Sequence, residues 1–247
     1  METFRSSAAY AKYYMDPELN HSSGYFQDIH ASLADAQRSK VEAVLQHCRI
    51  QPSMRLLDIG CGWGAAARSA SRTYGGSVTG ITLDSEHVEY AQGLEEDQPL
   101  DSRIDYRVQD WGDFHEPVDR IISINSFENF KDKESFFPHC RAILPVGGVM
   151  VVLTVTADRP MFRVIPKRKI ISAAERAGFD VEVSDSLAHH YVRTLENFIH
   201  NITEHKDEVV ALMGADRVEK DLAFYAACAD LFRRELNDMF EFTFVAR

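Results

Sequence analysis

The sequence predicts an α/β protein built on a doubly wound, mostly parallel sheet of seven strands. Apolar strand-like runs alternate with helical patterns through the middle of the chain, which is typical of such sheets. A glycine-rich loop, LLDIGCGWG, follows the first run and opens a helix. The 247 residues, 45% hydrophobic and 26% charged, are enough for one domain with a sizeable core.

The first strand is predicted at 54–60, and the glycine loop leads from it into a helix at 65–74. Further buried strands are predicted at 77–83, 103–110, 118–125, 147–156 and 179–185, with helices at 85–93, 133–144 and 170–177. This order of strand and helix places the helices on the two faces of the sheet.

Two parts of the chain stand outside this alternation. Residues 1–50 are predicted as a helical cap with a loop at NHSSGYF, ahead of an α/β core at 51–190. Residues 191–236 have a helical pattern, and residues 237–247 form a last strand. A helical excursion followed by a final strand predicts a lid over the sheet.

Composition narrows the classes of function. A formal net charge of −11 argues against nucleic acid as a partner, because nucleic-acid binders usually carry a basic face. No apolar run reaches the ~18 residues of a membrane span, and the N-terminus has no signal-peptide core. The four cysteines are scattered and the ten histidines lack metal-site spacing, so we predict a cytoplasmic protein without a metal.

The glycine loop predicts a ligand beyond the carboxyl ends of the strands. Gly60, Gly62 and Gly64 allow a tight turn and a close backbone approach. Gly60-x-Gly62-x-x-Ala65 also satisfies a loose dinucleotide fingerprint, so a nicotinamide dinucleotide and a purely structural turn stay open. Asp58, just before the loop, favours S-adenosylmethionine (SAM), because this donor has no pyrophosphate but carries an ammonium and a sulfonium.

Other strand ends supply further candidates. The segment ITLDSEH ends the second strand, where a ribose would lie, and VQDWGDF ends the third. There Asp110 and Trp111 are candidates to hold adenine. Their alternative roles are structural: Asp110 would cap a loop, and Trp111 would be a ring of the core. After the fourth strand, Glu128 stands between Phe127 and Phe130, where a charged carboxylate is costly to keep. The alternative, structural role of Glu128 is to cap the helix that follows.

The chain resembles the cyclopropane fatty acid and mycolic acid synthases and their C- and N-methyltransferase relatives. The resemblance is carried almost end to end by DPELNHSSGYF, LADAQRSKVEAVL, MRLLDIGCGWG, VTGITLDSEH, EPVDRIISINSFENF, HHYVRTLENF and CADLFRRELNDMFEFTFV. It implies a Rossmann-like class I methyltransferase fold with SAM as the donor.

The resemblance also implies roles for individual residues. The residues implied at the donor are His21 and Ser22 at the methionine end, Leu57 to Gly64 including Cys61 around it, Thr82, Leu83 and His87 at the ribose, Asp110 and Trp111 at the adenine, and Ile124 in the same pocket. Glu128 and Tyr191 would surround the reacting centre. Cys228 matches a family cysteine proposed as catalytic, which we interpret here as a packed core thiol.

The departures from the family pattern fall around the catalytic base. The chain reads HSSGYF where cyclopropane synthases read Y-S-C-A-Y-F, which puts Ser23 in place of a cysteine. Asn129 stands in place of a histidine in F-E-H-F, and Leu153 in place of a histidine that ends the fifth strand. In the family that last histidine, the cysteine's backbone, the glutamate and the tyrosine hold a bicarbonate. The segment after the fifth strand is also shorter here.

The family reaction makes a carbocation when an alkene attacks the sulfonium methyl, and bicarbonate then removes a proton. The candidates to surround such a cation are Tyr13, Tyr14, Tyr25, Phe127 and Phe130, whose alternative role is ordinary core packing. Because leucine cannot hold bicarbonate, two alternatives stay open. Glu128 is the base, with Ser23 and Tyr191 beside it, or the substrate needs no ring-closing base.

We therefore predict a SAM-dependent methyltransferase that methylates carbon or nitrogen of a small, largely apolar and lipid-like acceptor. Tyr14, Tyr25, Phe127, Asn129, Phe130 and Leu153 are the predicted acceptor-binding residues. The first alternative is a cyclopropane synthase or methylase of unsaturated acyl chains, and the second is a SAM-binding protein without catalysis.

Overall fold

The computed structural model describes residues 7–97, 104–158 and 164–247. Seven strands form one sheet: β1 Arg55–Ile59, β2 Ser77–Thr82, β3 Ile104–Val108, β4 Arg120–Ile124, β5 Val149–Thr156, β6 Phe179–Val183 and β7 Asp238–Ala246. The strand order is β3-β2-β1-β4-β5-β7-β6. Only β7 is antiparallel to its neighbours in this sheet, so β1 to β5 all end at one edge.

Nine α-helices lie in the described part of the chain. They are α1 Ala8–Tyr14, α2 Leu33–His47, α3 Ala65–Tyr74, α4 Ser85–Asp97, α5 Lys133–Ile143, α6 Lys167–Arg176, α7 Ala188–Glu204, α8 Lys206–Met213 and α9 Ala215–Arg233. Short 3-10 turns follow β3 at Trp111–Asp113 and β4 at Phe127–Asn129. The predicted mostly parallel seven-stranded sheet with added helices is confirmed.

Three apolar clusters hold these layers together. One, rich in phenylalanine, packs α5 and α6 on one face of the sheet. A second packs α2, α3 and α4 on the other face. The third lies beyond the carboxyl ends of the strands and joins α1, α7 and α9; its members include Tyr10, Tyr14, Leu153, Phe198 and Tyr225. We call this third group the cap cluster, and it gives the sheet edge a helical cover.

Several element boundaries differ from those predicted. Helix α4 continues past Gly93 to Asp97, since one glycine inside a helix costs only about 1 kcal/mol. Helix α6 begins at Lys167 rather than at 170, directly after Pro166 in an extended conformation. Strand β3 ends at Val108, and residue 103 of the predicted strand lies outside the described residues.

No helix within residues 7–97, 104–158 and 164–247 is both long and apolar enough to cross a membrane.

Candidate active site

A cavity of about 180 Å³ lies beyond the carboxyl ends of β1 and β4. Its lining contains many of the predicted donor residues: His21, Ser22, Asp58, Gly60, Cys61, Gly62, His87 and Ile124. Met15, Leu19, Asn20, Lys40, Trp63, Ala65, Ala66 and Asn125 complete it. The structure therefore brings residues from α2, α4, β1, β4 and the loop after α1 together at the edge where ligands of open α/β sheets bind.

The glycine loop shapes the floor of this cavity. Gly60, Gly62 and Gly64 have φ values of 78°, 51° and 84°, in the left-handed region that favours glycine. A Cβ on Gly60 would lie 2.3 Å from the Cβ of Ser126, whereas a Cβ on Gly62 would meet nothing within 4 Å. Gly62 therefore leaves open space for a ligand, while Gly60 and Gly64 serve the packing of the loop.

Asp58 is a buried acid with an unsatisfied oxygen at this cavity. Its side chain is 2% exposed, and its Oδ2 has no hydrogen-bond partner in the described structure. Burial raises its pKa to about 7, although Lys40 acts in the opposite direction. An orphaned carboxylate oxygen beside an open glycine loop fits a ligand that carries a cationic amino group, which matches SAM.

His21 joins the donor cavity to the cap cluster. It is open to the cavity, its Nε2 lies 3.0 Å from the Tyr225 hydroxyl, and its ring stacks on Phe198. Desolvation, with a smaller effect of His87, lowers the pKa of His21 to about 4. Burial also lowers the pKa of His87, whose Nδ1 is unpartnered. Both rings are thus neutral at pH 7 and act as polar walls.

Of the residues predicted for ribose and adenine, His87 lines the cavity, whereas Thr82, Leu83, Asp110 and Trp111 do not. Thr82 is buried at the end of β2, and Leu83 beside it is 69% exposed. Asp110 accepts a hydrogen bond from the Gly112 N–H at 2.9 Å and caps the 3-10 turn. Trp111 packs among Phe130, Phe136 and His139, with ring centroids 5.3–5.8 Å away. None of these four predicted residues lines the cavity, so their donor contacts stay predictions.

Glu128 is held by two neutral donors. Asn125 donates its Nδ2 to Oε1 at 3.1 Å, and Thr154 donates its hydroxyl to Oε2 at 3.0 Å. Desolvation raises the pKa of Glu128, against the smaller effect of these hydrogen bonds. Desolvation first, then the charges of Glu128 and Cys228, raises the pKa of the Tyr191 hydroxyl. The charges of Glu128 and Cys228 thus act on Tyr191, which keeps its proton at neutral pH.

Asn125 and Thr154 were missed by the sequence reasoning. Asn125 stands at the end of β4 with φ of 50°, lines the donor cavity and leaves its Oδ1 buried without a partner. A left-handed residue at a strand end is a signal of functional geometry, and asparagine tolerates that conformation. Thr154 lies in a strand buried on both faces, where no local pattern distinguishes it.

The predicted acceptor residues divide into two groups. Tyr14, Tyr25 and Leu153 belong to or pack against the cap cluster, against which Tyr191 also packs. Phe127 packs in the phenylalanine-rich cluster under α5, with Phe130 against it. This position corrects the expectation for Phe127, because the 3-10 turn directs its ring into the core.

The two remaining predicted residues are Ser23 and Asn129, whose roles in catalysis and acceptor binding stay predictions. Ser23 is fully buried, and its hydroxyl donates to the Gly24 carbonyl at 3.1 Å. Asn129 is exposed at the end of the 3-10 turn, where its N–H donates to the Ser126 carbonyl. The carboxylate of Glu128 accepts hydrogen bonds from Asn125 and Thr154, two residues that the sequence reasoning had not placed there.

The sheet order and the donor cavity define the class I methyltransferase type of α/β protein. A family model for mycolic acid cyclopropane synthetase matches residues 2–164 and 160–242, so the chain belongs to that family. It is a SAM-dependent methyltransferase, as the sequence predicted.

Individual relatives agree with this assignment. The chain is 32% identical to cyclopropane mycolic acid synthase 2 of Mycobacterium leprae, over 97% of this chain and 90% of that protein. It is 30% identical to the S-adenosylmethionine-dependent methyltransferase UmaA of Mycobacterium tuberculosis, over 93% and 91%. The structure of mycolic acid cyclopropane synthase CmaA1 complexed with SAH and CTAB superposes with a TM-score of 0.90 at 29% identity, over 95% and 93%.

We expect the affinity for S-adenosylhomocysteine to fall as the pH is lowered through about 7. Because the pKa of Asp58 is raised to about 7, its carboxyl is protonated below that pH and loses its attraction for the ligand's ammonium. The dissociation constant, measured by calorimetry from about pH 8 to about pH 5.5, should rise by up to about tenfold per pH unit. Asp58→Asn should flatten this profile, whereas a flat wild-type profile would contradict the assignment.

Proposed function

We propose that this enzyme transfers the methyl group of SAM to carbon or nitrogen of a small, largely apolar acceptor, with Glu128 as the base. The observation that carries the proposal is the half-buried Glu128 carboxylate, which is joined through Asn125 to the donor cavity. SAM supplies an electrophilic methyl group on its sulfonium. An acceptor with an N–H or C–H at the methylated atom loses that proton when the methyl is transferred, so a carboxylate near that methyl has a direct use.

The surroundings of Glu128 suit a base at neutral pH. Its carboxylate accepts hydrogen bonds from a neutral amide and a neutral hydroxyl, and the nearby Lys133 ammonium donates to the backbone carbonyls of Glu128 and Phe130. Because desolvation raises its pKa, the carboxylate is more basic than an exposed one. A raised pKa lies closer to the pH at which the enzyme works, and this favours general base catalysis.

Asn125 positions this base relative to the donor. Its backbone N–H donates to the Leu153 carbonyl at 2.8 Å, which fixes the end of β4 against β5. Its side chain then reaches Glu128 on one side while the residue lines the donor cavity on the other. We infer that this single strand end sets the distance between base and reacting methyl.

The replacement at Leu153 supports a reaction without bicarbonate. Its side chain is fully buried in the cap cluster, and it offers no hydrogen bond to an anion. An anion placed there would lack the hydrogen bond that the family histidine supplies, at a cost of about 1–3 kcal/mol. We infer that a protein side chain accepts the proton in place of bicarbonate, and that this side chain is the Glu128 carboxylate.

The apolar character of the acceptor follows from the cap cluster. Tyr14, Tyr25, Leu153 and Tyr191 belong to or pack against this apolar cluster, and Tyr191 is near enough to Glu128 to feel its charge. The relative CmaA1 was solved with CTAB as well as SAH, so a pocket in this family accepts a lipid-like molecule. With its scattered cysteines, the chain fits a cytoplasmic enzyme acting on a small lipid-like acceptor.

A second candidate is cyclopropanation or methylation of unsaturated acyl chains, which the names of the relatives favour. The two candidates are separated by an acceptor panel of small aromatic amines, carbon acids and vesicles of unsaturated phospholipid. We expect S-adenosylhomocysteine (SAH) to be released when one of the small acceptors is present. We also expect this turnover to depend on Glu128. Turnover restricted to phospholipid, with conversion of its alkene, would overturn the proposal.

A further inference from the structure

The donor cavity contains two buried side chains of opposite charge on different elements. Lys40 comes from α2 and Asp58 from β1, they are 1% and 2% exposed, and both line the cavity. Burying two ions is costly unless each is well partnered. Neither is fully partnered by the protein, which suggests that a ligand completes both.

Lys40 makes hydrogen bonds only to uncharged groups in the described structure. Its ammonium donates to the Ser22 hydroxyl at 2.8 Å and to the Asn20 side-chain oxygen at 3.1 Å. An ammonium has a further N–H for another acceptor. The carboxylates of Asp16 and Asp58 attract the Lys40 ammonium without a hydrogen bond to it. The Asp16 oxygens instead accept hydrogen bonds from the backbone N–H groups of Glu18 and Asn20. Desolvation lowers the pKa of Lys40 to about 8, so most of it is still protonated at pH 7. Lys40 is therefore a cation presented to the cavity without a direct anionic partner.

Asp58 supplies the opposite charge in the same cavity. Its Oδ2 is buried and has no hydrogen-bond partner within residues 7–97, 104–158 and 164–247. A buried oxygen left unpaired costs about 1–3 kcal/mol, and a ligand donor would recover this cost. The cavity thus has one unused anionic acceptor and one unused cationic donor.

We propose that Lys40 binds the α-carboxylate of the methyl donor while Asp58 binds its α-ammonium. The amino-acid end of SAM is a zwitterion, and these two side chains match its two charges. The histidines in the same lining do not compete, since desolvation lowers the pKa of both His21 and His87 and leaves them neutral. Lys40 is then a residue that makes the enzyme specific for an intact amino-acid end.

The competing role of Lys40 is purely structural. Together with Gln37, which donates to the Ser22 carbonyl at 2.5 Å, Lys40 braces the segment Asn20–Ser22 over the cavity. If Lys40 only supports this segment, its loss should lower the affinity of every ligand of the cavity. If Lys40 binds the carboxylate, its loss should lower only the affinity of ligands that have the carboxylate. The two roles are separated by changing the ligand as well as the residue.

The experiment measures binding of three ligands by calorimetry without an acceptor. The ligands are SAM, decarboxylated SAM, which lacks the carboxylate, and 5′-methylthioadenosine, which lacks the whole amino-acid end. The proteins are wild type, Lys40→Met and Asp58→Asn, with Lys169→Met on the exposed surface of α6 as a matched lysine control. Each variant is also compared by thermal unfolding.

We expect Lys40→Met to lower the affinity for SAM by about 10- to 100-fold. The affinities for decarboxylated SAM and for methylthioadenosine should stay within a few-fold of wild type. Asp58→Asn should weaken SAM and decarboxylated SAM alike, but not methylthioadenosine. Equal weakening of all three ligands by Lys40→Met would show a brace and overturn the proposal. Unchanged SAM affinity in a folded Lys40→Met protein would overturn it as well.

Discussion

Glu128→Gln is expected to lower kcat by about 10²–10⁴-fold, the usual contribution of a positioned general base. Glutamine keeps the size of the side chain and an acceptor for Asn125 or Thr154, but it cannot take a proton at neutral pH. Since the Glu128 carboxylate does not line the donor cavity, affinity for S-adenosylhomocysteine should stay within a few-fold of wild type. Steady-state kinetics and calorimetry on the same preparation check both parts.

Glu134→Gln is the matched control for this loss. Glu134 lies in the first turn of α5, six residues further along the chain, and its side chain is exposed. We expect full activity from this variant, because it removes a negative charge from the same region without touching the site. If Glu128→Gln also retained full activity, Glu128 would be a structural acceptor for Asn125 and Thr154 and not a base.

Gly60→Ala is expected to destabilise the fold and to abolish donor binding together. The new Cβ would lie 2.3 Å from the Cβ of Ser126, and φ at this position is 78°. Ser126 cannot move aside, because its hydroxyl donates to the Ile59 carbonyl at 2.7 Å and contacts the Ser123 hydroxyl at 2.6 Å. We expect a loss of roughly 2–5 kcal/mol in unfolding free energy, which lowers Tm by about 5–15 °C.

Two other glycines separate the causes of that loss. Gly75 has φ of 64° and open space around its Cβ, so Gly75→Ala should show the backbone strain alone, about 1–2 kcal/mol. Gly62→Ala adds a methyl that faces the donor cavity, so it should weaken S-adenosylhomocysteine more than it lowers Tm. A Gly60→Ala protein as stable as Gly75→Ala would contradict the close contact with Ser126.

The features that the sequence predicted well are encoded locally. Buried strands and amphipathic helices have short-range patterns, and the glycine loop is contiguous from Asp58 to Gly64. These patterns fix the sheet, its carboxyl edge and the floor of the donor cavity. The acid before the loop could likewise be recognised because its role depends on a fixed spacing.

The missed residues depend on contacts between distant segments. Lys40 reaches Ser22 across 18 positions, and Thr154 reaches Glu128 across 26. One signal for Lys40 was available: Lys40 and Gln37 occupy positions of α2 with the helical spacing of its buried residues Leu33, Ala36, Val41 and Val44. A lysine on a buried helix face is costly unless it has a partner, and so it marks a site.

Phe127 shows the converse error. Its place beside a candidate catalytic acid suggested contact with an acceptor, but the turn Phe127–Asn129 sends neighbouring side chains in different directions. Glu128 turns towards Asn125 and Thr154, whereas the Phe127 ring packs against Phe136 and Phe137. Adjacency in sequence did not specify direction, because a 3-10 turn rotates each side chain by about 120° from the last.

The most direct test of the base assignment is the dependence of turnover on bicarbonate. The methylation rate of the accepted substrate is measured with SAM in buffer freed of bicarbonate and again after bicarbonate is added, and the product is identified by mass spectrometry and NMR. With Glu128 as the base, the rate should be the same in both buffers, and the product should carry one added methyl on carbon or nitrogen. A rate that requires bicarbonate, with a cyclopropane ring in the product, would contradict the account.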